Sequence, residues 1–361
     1  MSESISCQCW ELRNPGEALV LASRDIPAPG PNEVVVEVSG CGICHTDLGY
    51  IFEGVKTRHA LPLTLGHEIS GTVVSAGANY SDLSDKAVVV PAVIPCGECE
   101  LCKKGRGSIC KAQIFPGCDV HGGFASHILI PAAGLCTVDP KALADSDIEL
   151  ADLAVLGDAI TTPYQAIVRS ELAKGDVAIF VGAGGVGSFG VQIARSFGAH
   201  VIALDIDDER LARCAEHGAH HTINVRDQEP RAIRKLVRGY VKEHGLPDTC
   251  WKIYETSGAA AGQTLAFSLL TFGAVLGVVG YTMESVSVRL SNLMAFDATA
   301  QGTWGCLPKH YPAVLDLVLS GKVNVKPFVQ RMPMSKLNDA INGLHDHSIT
   351  LRPILIPDFK S

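Results

Sequence analysis

The sequence predicts an α/β protein that combines a doubly wound parallel sheet with a second, β-rich domain. Its length of 361 residues suits two domains better than one. The first third is rich in β-branched residues and is punctuated by Gly and Pro, which is typical of a β-rich or barrel-like domain. From about residue 160, strand-like and helix-like segments alternate, which is the pattern of a parallel sheet.

Short apolar runs predict the individual elements. Strands are predicted at 33–38, 87–90, 177–181, 200–204, 251–254 and 274–279. Helices are predicted at 191–197, 208–217, 231–243 and 336–345.

These elements predict how the chain divides into domains. We expect the β-rich domain over residues 1–159, completed by 302–361, and the doubly wound domain over 160–301. Ligands of doubly wound sheets bind at the carboxyl ends of the strands, so the functional site is expected there, between the two domains.

Composition excludes several classes of function. The chain is 47% hydrophobic with a formal charge of −8, which argues against wholesale binding to nucleic acid or acidic lipid, although a local basic patch is compatible with it. Its most apolar stretches, 178–187 and 272–280, are short and rich in glycine, so no membrane span is expected. The segment Met1–Ser4 lacks the basic and apolar runs of a secretory signal, and we expect a cytoplasmic protein.

Four of the 13 cysteines lie in one short segment with the spacing C-x2-C-x2-C-x7-C: Cys96, Cys99, Cys102 and Cys110. Four thiolates around zinc form a closed tetrahedral shell that leaves no position for a substrate. The segment therefore predicts a structural zinc site. Free or disulfide-bonded cysteines are the alternative, and an iron–sulfur cluster is the rival metal group.

A glycine-rich segment follows the predicted strand 177–181 and has the pattern G-x-G-x-x-G through Gly182, Gly184, Gly185, Val186 and Gly187. Between a strand and a helix, such glycines let a pyrophosphate approach the helix N-terminus. Asp205 lies 18 residues beyond Gly187, where a carboxylate accepts the ribose hydroxyls of NAD and repels the 2′-phosphate of NADP. NAD is the predicted cofactor, and a glycine turn with a solvated acid is the alternative.

Two motifs upstream supply candidate ligands for a second zinc ion. Cys44 lies in Gly42–Asp47 and His67 in Gly66–Glu68, so one thiolate and one imidazole are available. A catalytic zinc has three protein ligands and an open fourth position. The third ligand must come from elsewhere in the chain.

The order of these motifs resembles the zinc-containing medium-chain alcohol dehydrogenase family over essentially the whole chain. The resemblance implies a Rossmann cofactor domain, a GroES-like catalytic domain, two Zn²⁺ per chain (one catalytic, one structural), and a homodimer or homotetramer. In that family the third ligand lies six residues before a tyrosine, which here is Asp158 before Tyr164. As an alternative, Asp158 would cap a helix at 159–166.

The resemblance also implies the chemistry, which is the oxidation of a secondary alcohol to a ketone. Zinc lowers the pKa of the bound alcohol, and hydride passes to C4 of the nicotinamide. Thr46 would accept the alcohol proton, His45 would lie near the pyrophosphate, and Glu68 would be a transient zinc ligand. Many relatives have a histidine where this chain has Gly49, which leaves the exit of the proton open.

Four stretches resemble family members that oxidise a cyclic acyl-CoA alcohol in aromatic degradation: 65–71, 93–102, 158–166 and 290–296. A cyclic acyl-CoA is therefore the expected substrate. Lys56 and Arg58 lie between the two metal motifs and are candidates for phosphate contact, a solvated loop being the alternative. The rival functions are oxidation of a small secondary alcohol or polyol, and a binding relative without catalysis. Intact Cys44, His67 and glycine motifs argue against the last.

Overall fold

The computed structural model describes residues 4–359, and its contacts divide the chain into two compact units. The first unit runs to Thr161 and also contains Gly305–Gly321 and the chain from Val325 onward; the second contains Thr162–Trp304 and Lys322–Asn324. The prediction that Met1–Ser4 is not part of a secretory signal falls mostly on residues 1–3, which lie outside the described residues. Within the described part, no helix is long and apolar enough to cross a membrane.

The strands are β1 Ile5–Glu11, β2 Val20–Ile26, β3 Glu33–Gly42, β4 Glu68–Ala76, β5 Ala87–Val90, β6 His127–Pro131, β7 Cys136–Thr137, β8 Val177–Val181, β9 His200–Asp205, β10 His221–Asn224, β11 Lys252–Glu255, β12 Val275–Val278, β13 Thr299–Gly302, β14 Val329–Pro333 and β15 Arg352–Ile356. The α-helices are α1 His45–Phe52, α2 Glu100–Lys103, α3 Pro140–Ala144, α4 Thr161–Arg169, α5 Gly187–Ser196, α6 Asp208–Glu216, α7 Pro230–Glu243, α8 Ala260–Ser268, α9 Ser291–Phe296, α10 Tyr311–Leu319 and α11 Leu337–His345. Short 3₁₀ helices span Ala78–Leu83, Gly107–Ile109, Leu150–Gly157, Pro308–His310, Lys326–Phe328 and Met334–Lys336.

The first unit is built on a mixed sheet with the strand order β14-β15-β3-β4-β5-β7, in which β6 also pairs with β3. The long strand β3 is central because its valines Val34, Val35 and Val36 are fully buried. Strands β1 and β2 form a separate antiparallel hairpin. The interior of this unit is filled largely by Val, Ile and Leu side chains from both ends of the chain, including Leu337 and Leu355.

The second unit is a six-stranded parallel sheet with the order β10-β9-β8-β11-β12-β13. Strand β8 is buried at every position, as expected where helices cover both faces of a parallel sheet. Helix α7 buries Ile233, Val237 and Val241, which are spaced four residues apart along one face. The order reverses between β8 and β11, and such a switch point is where doubly wound sheets bind their ligands.

The predicted fold class is therefore confirmed, a doubly wound parallel sheet with a β-rich partner domain. The predicted strands and helices are all present, most with ends shifted by one or a few residues. The largest shifts are of four residues: β3 continues to Gly42, and α5 begins at Gly187 rather than at residue 191. Gly187 packs so closely against Gly182 and Thr256 that no side chain fits there, so packing overrides the poor helix propensity of glycine.

Candidate active site and cofactor-binding turn

Four side chains of the first unit that could hold a metal ion converge in one place: Cys44, His67, Glu68 and Asp158, whose potential ligand atoms all lie within 4.8 Å of one another. Cys44 immediately precedes α1, Glu68 is the first residue of β4, and Asp158 follows the 3₁₀ helix Leu150–Gly157. Asp158 Oδ2 lies 3.8 Å from Cys44 Sγ and 3.7 Å from His67 Nε2. Residues separated by more than 100 positions are thus brought within reach of one ion.

The chemistry of this cluster fits zinc, which binds thiolate, imidazole and carboxylate ligands. Both ring nitrogens of His67 are buried without a hydrogen-bond partner among the described residues. Burial alone would lower the pKa of His67, but the carboxylates of Asp47 and Asp158 raise it well above its usual value. The site thus attracts a cation, which a metal ion supplies in place of a proton.

Asp158 does not begin a helix, because α4 starts only at Thr161. Its backbone ends the preceding 3₁₀ helix with φ −143° and ψ −58°. The alternative assignment, in which Asp158 caps a helix at residues 159–166, is therefore wrong for this structure. The assignment of Asp158 as a metal ligand stays a prediction.

Asp47 organises the cluster without being one of its four members. Its carboxylate accepts hydrogen bonds from the backbone N–H of Cys44 at 2.9 Å and of Gly66 at 3.1 Å. Its Oδ1 also lies 3.6 Å from His67 Nδ1. A carboxylate on the far nitrogen of a ligating imidazole sets the orientation of the ring. Asp47 is the third residue of α1 and bonds back to Cys44, so the spacing of a capping box was the sequence signal for it.

Glu68 is held in a buried ion pair that the sequence analysis missed. Arg352 Nη1 lies 2.8 Å from Glu68 Oε1, and the two side chains are 6% and 0% exposed. The backbone N–H of Ala159 donates to the same oxygen at 3.0 Å. Burial raises the pKa of Glu68 to about 7, while Arg352 acts in the opposite direction. The other oxygen, Oε2, has no hydrogen-bond partner among the described residues.

The remaining predicted catalytic residues lie on α1 beside the cluster. Thr46 Oγ1 is 3.8 Å from Cys44 Sγ, which places the hydroxyl next to a candidate metal ligand. His45 is the first residue of α1 and is exposed. Both positions follow from the helix that starts directly after Cys44.

The four predicted cysteines of the second metal motif also converge within 4.8 Å. Neighbouring sulfurs are 3.4 Å apart for Cys96–Cys110, 3.5 Å for Cys99–Cys102 and 3.6 Å for Cys99–Cys110. With Zn–S bonds of about 2.3 Å, the edge of a ZnS₄ tetrahedron is about 3.8 Å, so the spacing suits a single ion. Every cysteine in the structure is free, so disulfide bonding of this motif does not occur here.

The glycine-rich motif of the second unit forms the turn between β8 and α5. Gly182 has a φ of +102°, which only glycine adopts without strain, and a side chain there would collide with the backbone of Ser257. Val186 immediately precedes α5. Gly184 and Gly185 lie in the turn between them, with space above Gly184. The turn therefore leads directly into a helix N-terminus, which is the arrangement that favours an anion.

Asp205 ends β9 next to this turn and is 6% exposed. Its carboxylate accepts hydrogen bonds from Ala183 N at 2.6 Å and from Asp207 N at 3.0 Å. The negative charge is therefore fixed beside the glycine-rich turn. Asp207 has a local role, since its side chain accepts from Glu209 N and Arg210 N and caps α6.

The two predicted substrate-binding cations differ in environment. Arg58 pairs with Asp119 through two contacts, Nε–Oδ1 at 2.5 Å and Nη2–Oδ2 at 2.7 Å. Lys56 is exposed and has no ion pair in the described structure. Together with His59, it lines a cavity of about 350 Å³ whose other walls include Leu12 and Tyr50. Lys56 is therefore the cation more available to a ligand. Arg58 instead joins its own loop to the loop that contains Asp119.

Comparison with known proteins shows the family to which the chain belongs. Residues 30–140 match the alcohol dehydrogenase GroES-like domain, and residues 185–320 match the zinc-binding dehydrogenase family. An NAD-dependent alcohol dehydrogenase of Sulfolobus acidocaldarius is 30% identical over 358 residues, covering 94% of this chain and 96% of that protein. The L-galactonate-5-dehydrogenase of Escherichia coli is 26% identical over 336 residues, with coverage of 90% and 93%. The crystal structure of the Aeropyrum pernix alcohol dehydrogenase superposes with a TM-score of 0.85 at 26% identity, covering 97% of this chain and all of that one (100%).

The chain belongs to the zinc-containing medium-chain alcohol dehydrogenase family. It is an oxidoreductase that acts on CH–OH groups, and the family that it matches is described as a zinc-binding dehydrogenase.

Proposed function

We propose that this protein catalyses the zinc-dependent, NAD-linked oxidation of a secondary alcohol to a ketone. The observation that carries the proposal is the convergence of Cys44, His67, Asp158 and Glu68 within 4.8 Å. Cys44, His67 and Asp158 would hold the ion, which leaves a fourth position for the alcohol. Glu68, held by Arg352, is the neighbour that exchanges with substrate or water.

When bound, zinc polarises the alcohol oxygen and the dinucleotide accepts the hydride. The residues of this chain would then have to hold and move one proton. Thr46 Oγ1, beside Cys44 Sγ at 3.8 Å, is the proposed acceptor of the alcohol proton. Gly49 carries no side chain to pass that proton on, so water would complete the route to solvent.

NAD is proposed as the cofactor rather than NADP. Gly182, Gly184, Gly185, Val186 and Gly187 would hold the pyrophosphate, as expected for a turn that opens a helix. Asp205 supports the choice because its buried carboxylate lies against that turn, 2.6 Å from Ala183 N. It would repel a 2′-phosphate at close range. The measurement is kcat/KM with each dinucleotide, and equal or higher efficiency with NADP would contradict the role of Asp205.

For the substrate, we propose 6-hydroxycyclohex-1-ene-1-carbonyl-CoA, oxidised to 6-oxocyclohex-1-ene-1-carbonyl-CoA in anaerobic benzoyl-CoA degradation. The support is the resemblance of residues 65–71, 93–102, 158–166 and 290–296 to that dehydrogenase. Further support comes from Lys56 and His59, which line a cavity of about 350 Å³. The Lys56 ammonium and the His59 imidazole could contact an anionic ligand there. A small polyol or sugar acid is the second candidate, favoured by the similarity to L-galactonate-5-dehydrogenase.

The decisive experiment compares NADH formation with the cyclic CoA thioester, its free acid and a panel of polyols and sugar acids. Saturation by the thioester alone at micromolar concentration would support the CoA substrate. Lys56→Glu should then raise KM for the thioester, more at low salt than at high salt, and leave KM for NAD unchanged. Glu53→Lys, an exposed charge change at the nearby end of α1, is the matched control. Turnover of a polyol as efficient as that of any CoA ester would exclude the thioester proposal.

A further inference from the structure

Glu255, the last residue of β11, is a fully buried acid outside the metal cluster. Its Oε1 accepts three hydrogen bonds, from Ser257 N at 2.8 Å, Ser257 Oγ at 2.5 Å and Gly258 N at 3.1 Å. These bonds close the turn Thr256–Gly258, which follows β11. Its Oε2 is buried without a hydrogen-bond partner in the described structure, so the carboxyl group is confined by packing on that side.

The same residue also holds the neighbouring strand end. The carbonyl oxygen of Glu255 accepts from Val279 N at 2.9 Å and from Gly280 N at 3.0 Å, directly after β12. A side chain at Gly280 would come within 2.7 Å of Glu255 Oε2 and would also collide with Gly258 N. The turns after β11 and β12 therefore close on each other around the carboxyl group of Glu255.

The turn Thr256–Gly258 in turn contacts the glycine-rich turn. Thr256 N donates to Val181 O at 2.9 Å, and Thr256 Oγ1 donates to Gly182 O at 2.8 Å. A side chain at Gly182 would come within 2.6 Å of Ser257 N and Cα. Three consecutive turns along the carboxyl edge of the sheet thus form one contact chain, and Glu255 is at its centre.

We infer that Glu255 is a positioning residue for the dinucleotide. It fixes the turns after β11 and β12 against the glycine-rich turn, so that the edge at which a doubly wound sheet binds its cofactor is rigid before binding. This inference rests on the dinucleotide cofactor of the proposed function. It assigns Glu255 no contact with the reacting atoms, and the required property is an acceptor at Oε1.

The test is dinucleotide affinity, measured by titration with NADH and with NAD in the absence of substrate. Glu255→Ala removes all three side-chain bonds and should weaken NADH binding about tenfold or more. Glu255→Gln keeps an acceptor oxygen at the same place and should bind within about threefold of the wild type. Tyr254→Phe is the matched control, because it removes a buried hydrogen bond to Ser170 of 2.6 Å from the adjacent residue of the same strand. It should leave the affinity unchanged.

Ser257→Ala gives a second, milder arm if Glu255→Ala does not fold. Ser257 is exposed, and the substitution removes its Oγ, which donates to Glu255 Oε1 and accepts from Ala259 N at 3.2 Å. It should weaken NADH binding about threefold. Normal affinity in Glu255→Ala, or in Ser257→Ala where the first variant is unfolded, would overturn the inference. Affinity lost equally in Glu255→Gln would also overturn it, since charge rather than position would then matter. Failure of the wild type to bind NAD or NADP would instead show that the cofactor assignment itself is wrong.

Discussion

Replacing Arg352 by methionine tests whether the metal cluster depends on a buried charge pair. Arg352 and Glu68 are 2.8 Å apart with side-chain exposures of 6% and 0%, so water does not screen the interaction. Arg352→Met removes the charge and keeps a shorter, unbranched apolar side chain. Breaking one side of a buried ion pair costs about 3–5 kcal/mol, because Glu68 must then either stay buried as a charge without a partner or take up a proton. The free energy of unfolding should fall by that amount.

The assay is urea unfolding at pH 7, followed by far-ultraviolet circular dichroism, with hydrogen exchange of β3 and β15 to locate the loss. Arg13→Met is the matched control, because Arg13 pairs with Glu11 at 3.4 Å and is 51% exposed. Exposed pairs contribute about 0–1 kcal/mol. The double variant Arg352→Met, Glu68→Gln should recover part of the loss, since no uncompensated charge remains. An Arg352→Met loss below about 1 kcal/mol, equal to that of Arg13→Met, would refute the reasoning.

Three further outcomes are expected. Asp158→Ala should keep a zinc ion at the four cysteines and lose the one at Cys44 and His67. Mass spectrometry should then find about one zinc per chain. About two zinc ions per chain with normal turnover would exclude Asp158 as a ligand. Thr46→Val should retain zinc and NAD affinity but slow turnover about 10²–10⁴-fold. The loss of turnover should be smaller at high pH, where hydroxide takes the proton. A pH-independent loss below about threefold would exclude Thr46 from the proton route. Burial, with neighbouring His200 and Arg195, lowers the pKa of His220 to about 4. The folded state therefore binds this proton less readily than the unfolded chain, so stability present above about pH 6.5 is lost as the pH falls toward 4. The urea midpoint should decrease from pH 7 to pH 5, and His220→Asn should reduce that decrease; an unchanged slope would contradict the assignment to His220.

Local sequence determined much of this protein. The apolar runs of β3 and β8, the four-cysteine spacing and the glycine-rich turn each carry their information within a few residues. Apolar runs commit a segment to a buried strand, and short ligand spacings commit a loop to one ion. The fold class and the position of each motif on a strand, turn or helix start could therefore be predicted before the structure.

Only the tertiary structure decided which distant groups meet. Arg352 appears in the sequence as a single charged residue in an apolar strand, and nothing in its spacing connects it to Glu68, which lies 284 positions away. Strands β15 and β4 both pair with β3 near Gly42, which brings the two residues together. Arg58 is likewise a candidate for phosphate contact by its place in the sequence, whereas in the structure it pairs with Asp119. Glu255 gained its role from Gly280 and Gly182, residues on other strand ends. Charge pairing and close packing act between chain segments whose separation in sequence is arbitrary, so local patterns predict the elements, while the sheet order decides which side chains become neighbours.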